Sequence, residues 1–138
     1  MSRTLKSKTV REKKSPQDLM PAVRPRVKLW LEANEESVFC RGLADMLRAV
    51  KRTQSIKAAA TDVGRSYRFV WARIKTAEES LGAKLVAAHV GGAGTNRSEL
   101  TPLAEELLVE FDRLRTDLFR MVDQEFGQRL QKLLKKYR

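Results

Sequence analysis

Two short amphipathic helices on either side of a glycine constrain this chain more than any other feature. The first helix has one face of small and apolar side chains, formed by Ile56, Ala59, Ala60 and Val63. Gly64 follows where the chain must turn, because glycine adopts a positive φ without steric cost. Ser66 is the predicted N-cap of a second helix, whose inward positions are Val70, Ile74, Ala77 and Leu81. Alanines permit a close helix crossing, so residues 55–85 predict a helix-turn-helix.

The second helix also has a predicted outward face that is basic, formed by Tyr67, Arg68, Ala72, Arg73 and Lys75. Such a face has the right size for a DNA major groove. An ordinary pair of core helices with a solvated basic face is the alternative. The charge balance favours the first interpretation, since 28 Lys and Arg outnumber 17 Asp and Glu.

The positive charge is concentrated at the N-terminus. Nine basic and two acidic residues lie between Met1 and Lys28. Residues 1–24 contain too few apolar residues to fold alone, so they are predicted to form a disordered basic arm. Such a charge favours phosphate-bearing partners or an anionic membrane surface. A membrane span is not expected, because no apolar run approaches the ~18 residues that it requires.

Residues 25–100 are predicted to form one domain around the two helices. Alternating apolar residues in Val27–Glu32 and the run Ser37–Cys40 predict a short hairpin, and Gly42–Val50 predicts a helix before the helix-turn-helix. Lys84–Val90 and Arg97–Leu100 flank a glycine-rich turn, which predicts a β-wing.

Residues 101–138 predict a long C-terminal helix. Thr101 is the predicted N-cap, and Pro102 suits the first helical position. An apolar stripe then repeats by fours and threes at Leu107, Phe111, Leu114, Leu118 and Met121. This helix could lie across its own domain, but it is long for a domain of this size, so we expect it to pair with a second copy.

The residues offer no basis for catalysis, a metal site or a cofactor. The single histidine, His89, and the single cysteine, Cys40, lie in separate predicted elements. The glycines at 91–94 lack the spacing of a phosphate-binding loop. The acidic pair Glu78-Glu79 is predicted to be part of a solvated helix face. We expect no enzyme activity, and one cysteine suits a reducing intracellular setting.

Several short segments follow one another in a characteristic order: Lys28-Leu29-Trp30-Leu31-Glu32, Ser55-Ile56 with Ala58-Ala59-Ala60, Gly64, Ser66-Tyr67-Arg68 with Trp71, Leu81-Gly82 with Leu85-Val86, Gly91-Gly92 with Gly94, and Leu100-Thr101. Through these segments the chain resembles, from about Pro25 to Leu114, the N-terminal winged-helix domain of the molybdate-responsive (ModE-like) transcription regulators. Leu81-Gly82-Ala83-Lys84-Leu85 is also similar to the end of the LysR-type DNA-binding domain. The chain differs from the ModE-like pattern at Arg65, where an apolar residue is usual, and in the wing tip. It also lacks the molybdate-sensor domains, so molybdate sensing is not expected.

Together these features predict a mainly α fold with a small β component: a winged helix-turn-helix with a long C-terminal dimerisation helix. The expected function is a sequence-specific, homodimeric transcriptional regulator of double-stranded DNA, acting at the bacterial nucleoid in the cytoplasm. The alternatives are an architectural nucleoid protein with low sequence specificity, or a protein–protein adaptor that acts through the C-terminal helix. The predicted DNA-binding residues are Lys57, Arg65, Ser66, Tyr67, Arg68, Arg73, Lys75 and Arg97. Arg68, Arg73 and Tyr67 are assigned to the major groove, Lys57 and Arg65 to phosphates, and Arg97 to the wing.

Overall fold

The computed structural model describes residues 22–90 and 96–137. In chain order they form β1 (Trp30–Ala33), β2 (Glu36–Cys40), α1 (Arg41–Thr53), α2 (Ile56–Val63), α3 (Tyr67–Leu81), β3 (Val86–Val90), β4 (Asn96–Leu100), α4 (Pro102–Phe126), a π-helical segment (Gly127–Gln131) and α5 (Lys132–Lys136). The predicted winged helix-turn-helix with a long C-terminal helix is confirmed. The predicted arm, as far as residue 21, and the wing tip at 91–95 lie outside the described residues.

Residues Val27–Met121 form one compact unit. The described residues 22–26 and 122–137 belong to a second unit, whose helical part runs from the end of α4 through the π-helical segment into α5. The first unit includes α4 as far as Met121, so it extends beyond the predicted boundary at residue 100. Ala104 and Leu108 explain this extension, because both are buried in the core of the first unit.

Each sheet is a two-stranded antiparallel hairpin. In the first hairpin Trp30 lies opposite Cys40, and the turn residues Asn34 and Glu35 both have positive φ. This is the predicted short hairpin, although β1 begins at Trp30 rather than at Val27. In the second hairpin, the wing, Val86 lies opposite Leu100 and His89 lies opposite Arg97.

The core of the first unit draws on most of its elements. Its fully buried large side chains include Phe39 from β2, Leu43 and Leu47 from α1, Val70 and Ile74 from α3, and Leu85 next to the wing. Burial of this apolar surface provides the main driving force for folding. The helix-turn-helix is therefore held on the same core as the wing.

Phe111 of α4 belongs to this core. It is only 3% exposed, and its ring meets Phe39 edge-to-face at a centroid distance of 4.9 Å. Its assignment to a dimer interface was therefore wrong. The spacing of four and three residues is the same for a helix that packs on its own domain and for one that packs on a partner, so the sequence could not separate the two.

Two ion pairs hold α4 against α1. Arg48 Nη2 lies 2.6 Å from Asp112 Oδ2, and Lys51 Nζ lies 2.6 Å from Glu105 Oε2. Exposed pairs of this kind contribute little to the free energy of unfolding, but they agree with the apolar contacts in placing the start of α4 on the domain.

Candidate nucleic-acid interface

The turn between α2 and α3 sets the direction of the exposed helix α3. Gly64 ends α2 in the left-handed conformation, with φ of 70°, and the Arg65 N–H donates to the carbonyl oxygen of Ala60 at 2.9 Å. Ser66 then caps α3, because its Oγ accepts from the N–H of Phe69 at 3.1 Å. On the inner side of the pair, Ala59 and Ala60 are fully buried. The predicted cap, turn and small-residue crossing are thus all present.

The outward face of α3 carries one arginine and two small side chains. Arg68, Ala72 and Thr76 are exposed and follow one another at intervals of four residues, which places them on one stripe. Tyr67 and Trp71 are also exposed, but they lie on the flank of α3 that leads to Lys75 rather than on this stripe. A stripe with a guanidinium and two methyl-bearing side chains can contact guanine and the thymine methyl group, respectively, in a major groove.

The structure does not place Arg73 and Lys75 on this stripe. Arg73 is half-buried and its Nη2 lies 3.5 Å from Cys40 Sγ, on the side of α3 that faces β2. Lys75 is also half-buried, with its Nζ 3.2 Å from Glu78 Oε1. The predicted basic face was therefore too wide, since positions 73 and 75 lie on opposite flanks of the helix.

The remaining predicted basic residues are exposed around α3. Arg65, in the turn, has its guanidinium 5.0 Å from the centre of the Phe69 ring, which is a cation–π distance. Lys57 lies in the first turn of α2, and Arg97 lies in β4 of the wing. The next residue after Arg97, Ser98, donates its N–H to the carbonyl oxygen of Gln54 at 2.9 Å. This bond fixes β4 beside the chain segment that leads into α2.

Glu78 in α3 is buried, contrary to the prediction from the sequence. It was predicted to lie on a solvated face, but it is only 6% exposed. Its Oε2 accepts from the N–H of Leu85 at 2.7 Å and from that of Val86 at 3.2 Å. A signal was present, because Glu78 follows Ile74 by four residues on the inward stripe of α3.

The contacts of Glu78 stabilise its ionised form. Burial favours the protonated form and acts to raise the pKa of Glu78, but the N–H groups of Leu85 and Val86, together with Lys75, outweigh it and lower that pKa below its usual value. In the folded state Glu78 therefore binds its proton less readily than in the unfolded state. Its contribution to stability is complete above the unfolded pKa and is lost as the pH falls through the folded one.

We therefore expect Glu78→Gln to lower the free energy of unfolding at pH 7 by about 1 kcal/mol, because a charge-assisted hydrogen bond becomes a neutral one. The difference between the two proteins should shrink as the pH falls below 4.5, the ordinary pKa of the group. Urea denaturation between pH 7 and pH 3 measures it. The exposed neighbour Glu79 provides the control as Glu79→Gln, and an equal pH-dependent difference for that variant would contradict the assignment.

In the described part of the chain, no group of three or more His, Cys, Asp or Glu side chains is arranged to hold a metal ion. Cys40 is a free, half-buried thiol. None of the described helices combines the length and apolar character that crossing a bilayer would need.

Comparison with known proteins points to the same segment. Residues 43–105, which run from α1 into α4, match the family described as bacterial regulatory helix-turn-helix protein, lysR family. The molybdenum-pterin-binding protein MopB of Rhodobacter capsulatus is 32% identical over 77 residues, which are 56% of this chain and 28% of that protein. The molybdenum transport protein ModE of Herbaspirillum seropedicae is 35% identical over 69 residues, which are 50% of this chain and 26% of that protein.

The chain thus spans little more than a quarter of the length of these two relatives. Among solved structures, the fold of this chain is similar to that of Vibrio fischeri DarR, whose crystal structure was determined in complex with DNA. The TM-score is 0.47, the sequence identity is 19%, and the match covers 66% of this chain and 29% of the DarR chain.

Proposed function

We infer that this protein is a sequence-specific DNA-binding transcriptional regulator. It carries a winged helix-turn-helix domain that is similar to those of the LysR and ModE-like families. As a regulator it acts at the nucleoid, in the bacterial cytoplasm. The matched segments cover only 28% and 26% of the two relatives, so we infer DNA binding alone and carry over no molybdenum-related activity.

One observation carries the proposal: α3 presents Arg68, Ala72 and Thr76 on a single exposed stripe while its opposite side is fixed in the core. A helix held in this way can enter a major groove without rearrangement. Arg68 can then donate two hydrogen bonds to O6 and N7 of a guanine, which is the commonest base-specific contact of arginine.

The surrounding residues suit contacts with the DNA backbone. Lys57 and Arg65 are exposed near the starts of α2 and α3, where backbone N–H groups also favour phosphate oxygens. Tyr67, in the first turn of α3, has an exposed hydroxyl-bearing ring next to Arg68. Arg97 gives the wing a positive charge for the minor groove or the adjacent phosphates. Ser66 contributes indirectly, because its side chain caps α3.

Selection of bound sequences from randomised DNA tests the proposal. A regulator should enrich one motif that contains a guanine, and it should bind this motif about 10³-fold or more tightly than random DNA at physiological salt. An architectural protein that coats DNA would bind both with similar affinity, and that result would overturn the proposal.

We further propose a homodimer formed through α4. Leu114 and Met121 are 51% and 56% exposed, and Leu107 and Leu118 are half-buried on the same side of the helix. Side chains of this size form an apolar strip that monomers rarely expose to water. A two-fold pair would cover the strip and present two copies of α3 to successive turns of DNA.

Removal of residues 1–24 should leave the fold intact and weaken binding to every DNA sequence by a similar factor. This segment has an excess of basic residues, and basic residues that contact phosphates release counterions from DNA. Each phosphate contact makes the slope of log affinity against log salt steeper by about 0.9. Binding titrations at several salt concentrations measure that slope. An unchanged slope in the truncated protein would contradict the role of the arm.

A further inference from the structure

Glu78 joins three parts of the candidate interface. It lies in the last turns of α3, and its carboxylate receives the N–H groups of Leu85 and Val86 where the chain enters β3. On the other side of this entry, the carbonyl oxygen of Leu85 accepts from the N–H of Thr101 at 2.9 Å. Thr101 precedes α4, and its Oγ1 accepts from the N–H of Ala104 at 3.3 Å. A continuous set of hydrogen bonds thus runs from α3 through the wing to the start of α4.

Two lysines lie on the other oxygen of the same carboxylate. Lys75 Nζ is 3.2 Å from Oε1 and Lys84 Nζ is 3.9 Å from it. These ion pairs offset part of the cost of burying the charge, although Oε1 itself accepts no hydrogen bond from the described residues. They also keep the carboxylate ionised, which strengthens the bonds that it accepts from the backbone.

From this geometry we propose that Glu78 is a positioning residue for DNA binding, which sets the angle of the wing and of the start of α4 relative to α3. The inference rests on the proposed function. α3 and the wing contact different grooves, so both can bind one DNA duplex only if the angle between them is fixed. The backbone of the link ties only its first two residues to α3, because the N–H groups of Gly82 and Ala83 donate to the carbonyl oxygen of Glu78. Beyond them, the side-chain carboxylate of Glu78 holds the start of β3 to α3.

Two substitutions separate the reach of the side chain from its charge. Glu78→Asp keeps the charge but withdraws the carboxylate by one methylene, so it can no longer receive both N–H groups. Glu78→Gln removes the charge but keeps an oxygen at the same distance from the backbone. Glu79→Gln is the matched control, because it removes the charge of the exposed neighbour on the same helix.

The first measurement uses the free protein. In Glu78→Asp, the amide hydrogens of Leu85 and Val86 should exchange about tenfold or more faster than in the wild type, whereas Glu78→Gln and Glu79→Gln should change these two rates much less.

The second measurement uses the selected DNA site. Glu78→Asp should bind it about tenfold more weakly and lose the protection from hydroxyl radicals that the wing gives to the flanking sugars. Protection of guanine N7 from dimethyl sulfate, which reports on α3, should remain at saturating protein.

Glu78→Gln should retain both kinds of protection. The positioning role would be overturned if Glu78→Asp kept both the wild-type exchange rates and the flanking protection. It would also be overturned if Glu78→Gln lost the flanking protection. A wild-type protein that protects no DNA would overturn the proposed function and the role of Glu78 in DNA binding with it. In that case the exchange rates would still show whether Glu78 holds β3 to α3.

Discussion

Replacement of Leu114 and Leu118 together by glutamate should give a folded monomer that binds a palindromic site on the order of a hundredfold or more weakly than the wild type. The loss is large because a dimer binds its second half-site as an intramolecular event, at a high effective concentration. In a dimer, the two copies of α4 would bury the substituted glutamates in an apolar interface. Their charges could not be hydrated there, so the dimer would not form. Each monomer would keep its fold, because Phe111 and Leu108, rather than Leu114, connect α4 to the core.

Sedimentation velocity at micromolar protein concentration measures the oligomeric state, and titration with a palindrome whose half-sites are about 34 Å apart measures the binding. Val109→Glu with Thr116→Glu is the matched control. Val109 is 56% exposed and both positions lie on a different face of α4, so these changes add the same charge without affecting the dimer. A wild-type protein that sediments as a monomer would exclude the dimer, and the apolar strip of α4 would then need another explanation.

Arg68→Ala should weaken binding to the preferred site by about 1–3 kcal/mol and binding to random DNA by much less. Arg68 is exposed in the first turns of α3, on the stripe that faces away from the core. The Arg68 side chain can donate two hydrogen bonds to a guanine, which presents two acceptors, O6 and N7, an arrangement that no other base offers. Both bonds are lost when the side chain is removed. The preference for guanine at one position of the site should therefore relax.

Arg73→Ala provides a stringent control, because it removes the same side chain from the same helix. Arg73 faces Cys40 on the flank of α3, so we expect its removal to leave the base preference unchanged. Competition titrations with the selected site, with a variant of it at the guanine, and with random DNA distinguish the two substitutions. Equal losses on all three DNAs for Arg68→Ala would show that Arg68 contacts phosphate only.

The local features of the fold could be predicted from the sequence because they depend on short-range chemistry. Gly64 and Ser66 are residues that a left-handed turn and a helix cap require, whatever surrounds them. Alternation and helical spacing likewise predicted the two hairpins and α1 to α4. Within the candidate interface, Arg68 could be assigned to the exposed face because it precedes Val70 by two residues, which places it well away from the buried stripe.

Tertiary structure alone decided what each face of a helix contacts. The spacing of Phe111 and Leu114 suits one apolar stripe, yet the first is buried against Phe39 and the second is exposed. The spacing places Glu78 on the inward stripe of α3, but only the start of β3, which supplies two N–H donors, makes a buried carboxylate favourable there. Spacing along the chain determines which side chains share a helix face, whereas burial depends on residues that are distant in sequence and meet only when the chain folds.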